Sequence, residues 1–437
     1  MNLEMIQNKR KQVILQFAIP SVIAMVLTAM INIIDGYFIG NYVGKEGLAA
    51  VNLGLPIVYF YLAVGLMIAV GGIAIAGRLL GANSLEEANQ VFRQTMMLCL
   101  IVTVVITICM SFLLRPLSSF FQADSLTRAY FVDYYAILLF ELPMMVLLST
   151  CGMFIRGEGN PVFIMMSNLM TVILNIVLDY LFVKPLQLGV RGVALASLLS
   201  SGIVLAFSLL YFKKKSRVFK LGAFRFDKAT IKEMILNGSS EFIGELSMCI
   251  SMAAYNFVVL KYAGVNGVAA FTIIGYVSYV FSMIIIGFGQ GMVPIVSFTF
   301  GARQHALAKK VRNTTMSFVV IAALVVFVTM TCLAGWYSSL FSNSQEVSAL
   351  VVPGLRLQMS SFAFAGINTI ASFYFTAIGK AKESAVISSM RGLIVLLIAI
   401  FVLSYLLGIT GVWLVSLITE VVTLLFSICY MAKDAKK

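Results

Sequence analysis

The stretch Arg156–Phe182, RGEGNPVFIMMSNLMTVILNIVLDYLF, places an acid inside an apolar segment that is long enough to cross a lipid bilayer. About 20 residues at a rise of about 1.5 Å span the ~30 Å hydrocarbon core. Asn168, Thr171, Asn175 and Asp179 follow at spacings of three, four and four, so they form one polar stripe on a helix. An ionisable group at mid-membrane costs about 2.5 kcal/mol or more. The stripe therefore predicts either a functional path or polar contacts that hold helices together.

The composition is that of a polytopic membrane protein. Of 437 residues, 61% are hydrophobic and 11% are charged, and the mean hydropathy is +1.00. These values lie far outside the range of soluble domains. Twelve apolar segments are long enough to span: roughly 14–40, 48–77, 91–114, 129–155, 161–183, 189–212, 234–262, 267–299, 311–336, 346–376, 384–407 and 410–431. The predicted fold class is all-α, because lipid cannot satisfy the backbone of open loops or sheet edges.

The net charge of +13 follows the predicted topology. If the N-terminus is inside, the inside segments carry 24 of the 31 Lys and Arg residues and the outside loops carry 7. This asymmetry is the positive-inside rule, and it predicts a multi-pass protein of the cell (inner) membrane with both termini in the cytoplasm. The expected partner of the basic charge is anionic membrane lipid, with no nucleic acid.

The chain also matches itself at an offset of 220 residues. YVGKEGLAA at 42–50 aligns with YAGVNGVAA at 262–270, and matches continue without a gap to Gly159 and Gly379. Each half holds six spans, and an even number predicts two parallel repeats with a site at their interface. The predicted units are an N-terminal six-helix lobe, 1–212, a basic cytoplasmic linker, 213–232, and a C-terminal six-helix lobe, 233–437.

Two acids of the first lobe are predicted to lie at similar depth. Asp35 in IIDGYFIG and Asp179 each precede the outer end of a span, and the two spans run in the same direction. Their repeat partners are Tyr255 and Ala399, so the second lobe lacks the pair. Structural contacts would tend to recur in both halves, whereas a coupling site need exist only once. Pro20 in the first span permits a bend and is the predicted conformational hinge.

Other carboxylates lie well inside predicted spans, and these are Glu141, Glu241, Glu245 and Glu420. Few basic residues are near them, so these groups are protonated, bind metal cations or await a cationic ligand. For Glu241 and Glu420, an acid that is protonated or faces the membrane interface is as good an interpretation as function. Glu245 is predicted to lie deeper.

Enzyme chemistry has little support in the sequence. The six cysteines form no C-x-x-C pair and His305 is the only histidine, which excludes most zinc sites and acid–base triads. There is no G-x-S-x-G or H-E-x-x-H. We therefore expect a protein that is not an enzyme, with no catalytic residues and no cofactor.

A family resemblance rests on specific motifs. They are LGANSLEEA with its echo FGARQHALA, IIDGYFIG, and RGEGNP followed by NIVLDY, within twelve spans in two lobes. On these motifs the chain resembles the multidrug and toxic compound extrusion (MATE) family, in its prokaryotic DinF-like or MepA-like branch. The resemblance covers nearly the whole chain. It implies a V-shaped pair of helix bundles that alternate access and export organic cations against inward H⁺ or Na⁺.

The resemblance also implies site residues. The cation-coupling site, and the site of Na⁺ if sodium is the ion, would comprise Asp35, Asn175 and Asp179. Further cation or substrate contacts would come from Asn32, Tyr37, Tyr134, Asn168, Thr171 and Glu245. In another branch the essential acids lie in the second lobe, where Glu245 is only a loose match.

The predicted function is secondary active efflux: antiport of amphipathic, mostly cationic compounds, with xenobiotic export and antibiotic resistance as the consequence. Its 24 Met and 33 Phe residues could line an adaptable apolar cavity, and aromatic faces attract cations. The sequence leaves H⁺ and Na⁺ as alternatives, and the protein is expected to be a monomer. The alternative function is a flippase for isoprenoid-linked sugars or another lipid-linked substrate. That activity favours arginines for the pyrophosphate, whereas this sequence has acids there.

Overall fold

The structure is a computed structural model that describes residues 3–120, 124–341 and 344–436. Within these ranges the fold is all-helical, and a short helix, Leu3–Asn8, precedes the spans. The spans are Arg10–Tyr42 (α1), Lys45–Gly81 (α2), Leu85–Phe120 (α3), Ser125–Glu158 (α4), Pro161–Val183 (α5), Gly189–Lys214 (α6), 228–263 (α7), 265–301 (α8), His305–Ser339 (α9), Gln345–Ser360 with Phe362–Ala377 (α10), 381–407 (α11) and 409–435 (α12).

Two of the continuous helical segments each contain two spans. The helix Lys228–Gly301 has 74 residues, which would extend for about 110 Å if it were straight. That length is more than three times the hydrocarbon core. At Gly264 the backbone has φ +58°, and at Gly408 it has φ +60°, so the chain reverses there into α8 and α12. With these breaks, and with α10 bent by 40° between its two halves, the described residues form the twelve predicted spans.

The repeat is visible in the backbone conformation. Left-handed backbone is needed where a chain leaves one helix and starts the next, and glycine adopts it at least cost. Three of these positions recur in the two halves at the offset of 220 residues seen in the sequence, and a fourth recurs at 219. The pairs are Gly44 with Gly264, Asn83 with Arg303, Gly159 with Gly379, and Gly189 with Gly408.

The RGEGNP motif forms the turn between α4 and α5. Gly159 follows the end of α4 with φ +103°, and its amide donates to the Arg156 carbonyl. The Asn160 side chain caps α5 by accepting from the Phe163 amide at 3.3 Å, and Pro161 takes the first helical position. Each of these residue types suits its place at a helix end.

The chain between the lobes packs onto the first lobe. Helical structure reaches into both ends of the predicted linker, and 215–227 is non-helical. Glu158 Oε1 accepts from the Ser216 hydroxyl and the Val218 amide, each at 2.9 Å. The Phe219 ring is 0% exposed. It packs against Phe92 and Phe154. The division of the chain into lobes at 212 and 233 stays a prediction.

Both chain ends lie at one face of the molecule, here called the terminal face. Arg10 Nε donates to Thr314 Oγ1 at 2.9 Å, and Lys309 Nζ donates to the Asp434 carbonyl at 2.6 Å. The first of these contacts joins the two lobes. Arg78 in α2 and Glu233 in α7 add an ion pair between the lobes at 2.5 Å.

Close backbone packing joins the lobes in the half of the molecule nearest the terminal face. A methyl group at Gly71 would overlap the Met234 carbonyl, and one at Gly301 would overlap the Arg78 carbonyl. Small residues allow helix backbones in a membrane to approach this closely. Farther along the spans Tyr37 of α1 is 61% exposed and Tyr276 of α8 is 52% exposed. The lobes are therefore joined in the half near the terminal face.

Candidate cation-coupling site

Three helices of the first lobe bring four polar side chains together. Asp35 comes from α1, Asn175 and Asp179 lie one turn apart on α5, and Ser197 comes from α6. Asn175 Nδ2 donates to Ser197 Oγ at 3.3 Å, and Ser197 Oγ donates to Asp35 Oδ2 at 3.2 Å. The Asp35 carboxyl group also lies beside the Asn175 and Asp179 side chains. We call these four residues the acid cluster.

The acid cluster has more acceptors than donors. Asn175 and Asp179 are 0% exposed. Both oxygens of Asp179, Oδ1 of Asp35 and Oδ1 of Asn175 are buried and accept no hydrogen bond. Buried acceptors without donors are unfavourable, and two adjacent carboxylates repel unless a proton or a cation lies between them. The arrangement therefore suits a proton or a hard cation, which takes oxygen ligands.

The donor set of this cluster differs from that of a transition-metal site. The described residues contain no group of three or more His, Cys, Asp or Glu side chains that could hold a metal ion. The acid cluster supplies two carboxylates, one amide oxygen and one hydroxyl. It therefore fits Na⁺ or H⁺, the two ions between which the sequence left the choice open.

The residues of the polar stripe on α5 have two different roles: some belong to the acid cluster, and others hold helices together. Asn175 and Asp179 enter the acid cluster. Asn168 instead donates to the Ala24 carbonyl of α1 at 2.9 Å, which is a contact that holds two helices together. The Thr171 hydroxyl donates to a carbonyl of its own helix at 3.0 Å. Helical spacing placed all four on one face, but the neighbouring helices decide which of them share a site.

Tyr134 and Glu141 of α4 line the region beside the acid cluster. Tyr134 is 4% exposed. Its ring centroid lies 5.2 Å from that of Tyr135, and the two rings meet edge to face. Glu141 Oε1 accepts from the Ser201 hydroxyl of α6 at 2.7 Å. Glu141 is therefore held by a neutral donor, and the sequence had assigned it no role.

Sequence reasoning missed Ser197, which bridges two members of the cluster. A usable signal was present, because the segment ASLLSSG of α6 carries Ser197, Ser200 and Ser201 on one helical face. Serine is common in packed membrane helices, so this pattern alone does not distinguish a ligand from a packing residue.

Other predicted contacts are not members of the acid cluster. Tyr37 is 61% exposed. Asn32 is exposed as well. Glu245 lies on α7 of the second lobe. The buried Pro20 lies on α1 in the half near the terminal face, about 22 Å along the helix from Asp35.

The second lobe has a buried acid with a cationic partner. Arg391 Nη2 donates to Glu420 Oε1 at 2.7 Å, and Asn368 Nδ2 donates to Glu420 Oε2 at 2.8 Å. Asn368 in turn accepts from the Ser427 hydroxyl at 2.7 Å. The sequence left Glu420 open between function and a protonated or interface-facing acid. The structure shows it buried and paired with Arg391, which lies in the π-helical turn Met390–Ile394.

The MatE family model matches residues 20–181 and 242–402, one match in each half of the chain. The chain belongs to the MatE family. Its two matches begin and end at nearly equivalent points of the two lobes, which agrees with the repeat in sequence and backbone.

Similar proteins include members of this family with known names. Multidrug export protein MepA of Staphylococcus haemolyticus is 27% identical over 411 residues, which cover 93% of this chain and 90% of that protein. MepA of Staphylococcus saprophyticus is 25% identical over 427 residues, which cover 96% and 93%.

Solved structures of the same family superpose on nearly the whole chain. A multidrug resistance MATE family transporter of the MOP superfamily, in an outward-facing conformation, has a TM-score of 0.91 at 25% identity, and the match covers 98% of this chain and 97% of that one. A MATE structure in a straight conformation has a TM-score of 0.92 at 25% identity, with the same coverage. The predicted fold class is confirmed: twelve helices in two parallel six-helix repeats that form a V-shaped multi-pass membrane protein.

Proposed function

We propose that this protein is an antiporter that exports amphipathic, mostly cationic compounds from the cell against an inward gradient of H⁺ or Na⁺. The observation that carries the proposal is the acid cluster, where two carboxyl groups lie side by side and no cationic side chain of the described residues is bound to them. The names of the similar MepA proteins, multidrug export proteins, support the substrate class. In this proposal the compound is transported without being chemically changed.

The acid cluster can exchange one cation for another. With both carboxyl groups ionised, Asp35 and Asp179 attract a cationic compound into the first lobe. Binding of H⁺ or Na⁺ removes the negative charge, and the cluster then loses its attraction for the compound. Because both ligands need the same charge, their binding is mutually exclusive, which is the requirement for antiport.

Helix α1 connects this exchange to the contact between the lobes. Asp35 lies in its outer half, while Ala18 and Val22, on either side of Pro20, pack against Gly291 and Gly287 of α8. Proline removes a helical hydrogen bond and permits a bend. A change at Asp35 that bends α1 at Pro20 would therefore act directly on the packing between the lobes.

The proposed orientation places the terminal face in the cytoplasm of the cell and the opposite ends of the spans toward the outside. The distribution of basic residues supports it, because the segments at the terminal face carry most of the Lys and Arg. The likeness to an outward-facing family structure agrees with a cleft that opens on the opposite side.

The acids also argue against the flippase alternative. A pyrophosphate headgroup needs arginine or lysine donors, whereas the acid cluster presents acceptor oxygens.

The test is efflux of a fluorescent lipophilic cation from loaded proteoliposomes, with the H⁺ and Na⁺ gradients imposed separately. We expect one gradient to drive efflux by the wild type and Asp35→Asn to reduce it to background. Asp133→Asn is the matched control, because Asp133 forms an exposed ion pair with Arg191 at 2.8 Å in the same lobe. Undiminished efflux by folded Asp35→Asn would contradict the proposal, and so would wild-type efflux that needs neither gradient.

A further inference from the structure

Arg156, the first residue of RGEGNP, lies at the contact between the lobes without a partner for its charge. The residue is 3% exposed. Its Nε and Nη1 atoms are buried and donate no hydrogen bond. The rest of the motif forms the turn after α4 and holds the linker, so this arginine is the part of the motif that the fold leaves unexplained.

A small cavity of about 10 Å³ lies beside Arg156. Both lobes line it, from helices α2, α4, α8 and α10, and the lining is mostly apolar. Its lining residues are Val70, Ile73, Met153, Arg156, Gln290, Val293, Pro294 and Phe373. The volume is of the order that holds one water-sized particle, about 10–15 Å³.

Gln290 is the other polar group of the cavity, and it comes from the second lobe. Its side-chain oxygen is buried without a hydrogen-bond donor. The two ends of a glutamine amide exchange places by a simple flip, and the hydrogen-bonding partners decide which end faces a ligand. Gln290 can therefore present its NH₂ group to an acceptor that Arg156 also binds.

No carboxylate lines the cavity to balance the guanidinium charge. Glu158, two residues away, is directed to the linker, where it accepts from the Ser216 hydroxyl and the Val218 amide. A buried charge without a counter-charge is strongly unfavourable. A water molecule would satisfy the hydrogen bonds but leave the charge, whereas an anion would satisfy both.

We propose that Arg156 and Gln290 bind a single small monovalent anion, of the class of chloride, in the cavity between the lobes. Arg156 supplies the positive charge and two N–H donors, and Gln290 supplies an amide donor from the opposite lobe. The small volume favours a monatomic ion over phosphate or a carboxylate-bearing compound, and the mostly apolar lining offers competing water few hydrogen bonds. A monatomic halide meets these conditions.

The anion would favour the arrangement in which the lobes are joined near the terminal face. Its two binding residues come from different lobes, so separation of the lobes there dismantles the site. A ligand that binds only one state shifts the equilibrium toward that state. This consequence rests on the alternation of the lobes in the proposed function, whereas anion binding itself does not.

The first experiment detects the ion directly. Wild-type protein is crystallised in bromide, and anomalous diffraction is recorded at the bromine absorption edge. We expect an anomalous peak within hydrogen-bonding distance of Arg156 and Gln290. Water alone at this position, with no anomalous signal, would overturn the proposal.

The second experiment compares thermal unfolding in chloride and in gluconate at equal ionic strength. Chloride should raise the wild-type Tm by a few degrees relative to gluconate, and Arg156→Gln should abolish the difference. Lys310→Gln, at an exposed site of the terminal face, is the matched control and should keep the difference in Tm between chloride and gluconate. Gln290→Met provides a second variant if Arg156→Gln does not fold. A chloride effect of equal size in wild type and in a folded cavity variant would refute the site.

The third experiment measures the consequence for the lobes. Spin labels at Asn83 and Arg303, both exposed in turns at the terminal face, report the distance between the lobes. Chloride should increase the short-distance population in the wild type and leave Arg156→Gln unchanged. If bromide binds but the distances do not respond, the anion site is supported and its proposed effect on the alternation of the lobes is refuted.

Discussion

The two lobes contain buried carboxyl groups in opposite electrostatic settings. In the second lobe, Glu420 accepts from Arg391 and Asn368, so its charge and its oxygens are satisfied. In the first lobe, Asp179 accepts no hydrogen bond, and its neighbour Asp35 receives one from a serine. The lobes share one fold, so the difference lies in a few side chains.

This difference separates a structural acid from an exchangeable one. A carboxylate that is bound to arginine gains nothing from a second cation, and it stabilises the helices that carry the pair. A carboxylate without a partner is available for a mobile cation, at the expense of stability when the cation is absent. We infer that the Arg391–Glu420 pair serves as scaffold and that the acid cluster serves as the exchange site.

The largest expected effect comes from Asp179→Asn. Gradient-driven efflux should fall to background, because the remaining carboxylate has no partner with which to share the cation. The Tm of the purified protein should stay the same or rise, since the substitution removes a buried charge and breaks no hydrogen bond. Dye efflux and thermal unfolding of one preparation check both statements. A large loss of stability would show instead that Asp179 is a structural acid.

The second-largest expected effect is a loss of stability caused by a substitution in the second lobe. Arg391→Gln leaves Glu420 buried without its cation, which should destabilise the protein by about 3 kcal/mol. The double variant Arg391→Gln with Glu420→Gln should recover most of this loss, because no unpaired charge remains. Thermal unfolding of the single and double variants measures the loss of stability and its recovery. Equal stability of the double and single variants would contradict the structural interpretation of this pair.

The smallest expected effect comes from the serine of the acid cluster. Ser197→Ala removes a hydrogen bond to a charged group, worth about 1.5 kcal/mol, and should weaken the apparent affinity for the coupling ion about tenfold. The dependence of efflux on ion concentration measures this affinity. Thr171→Val is the control, since that hydroxyl bonds only to its own helix. If both variants behave alike, Ser197 is a packing residue.

Much of the fold could be predicted from the sequence because the membrane restricts the possibilities. Apolar length identifies a span, and the offset between the halves identifies a repeat. Gly264, which ends α7, was also visible, since it repeats Gly44 in the first half. The candidate site could be predicted in part. Asn175 and Asp179 were placed together by helical spacing, while their contact with Asp35 came from the family resemblance and from similar depth.

Tertiary structure decided the partners of each acid. Ser197 and Asp35 are 162 residues apart, and no local pattern reports which helices become neighbours. Arg391 lies within the predicted span 384–407, and no local pattern reports its pairing with Glu420, 29 residues away. The unpaired Arg156 likewise became apparent only when both lobes were placed around it. The sequence by itself determined the spans, the repeat and the polar face of α5, because these depend on local hydrophobicity and helical period. Packing between distant segments decided which charges are neutralised and which stay free to bind an ion.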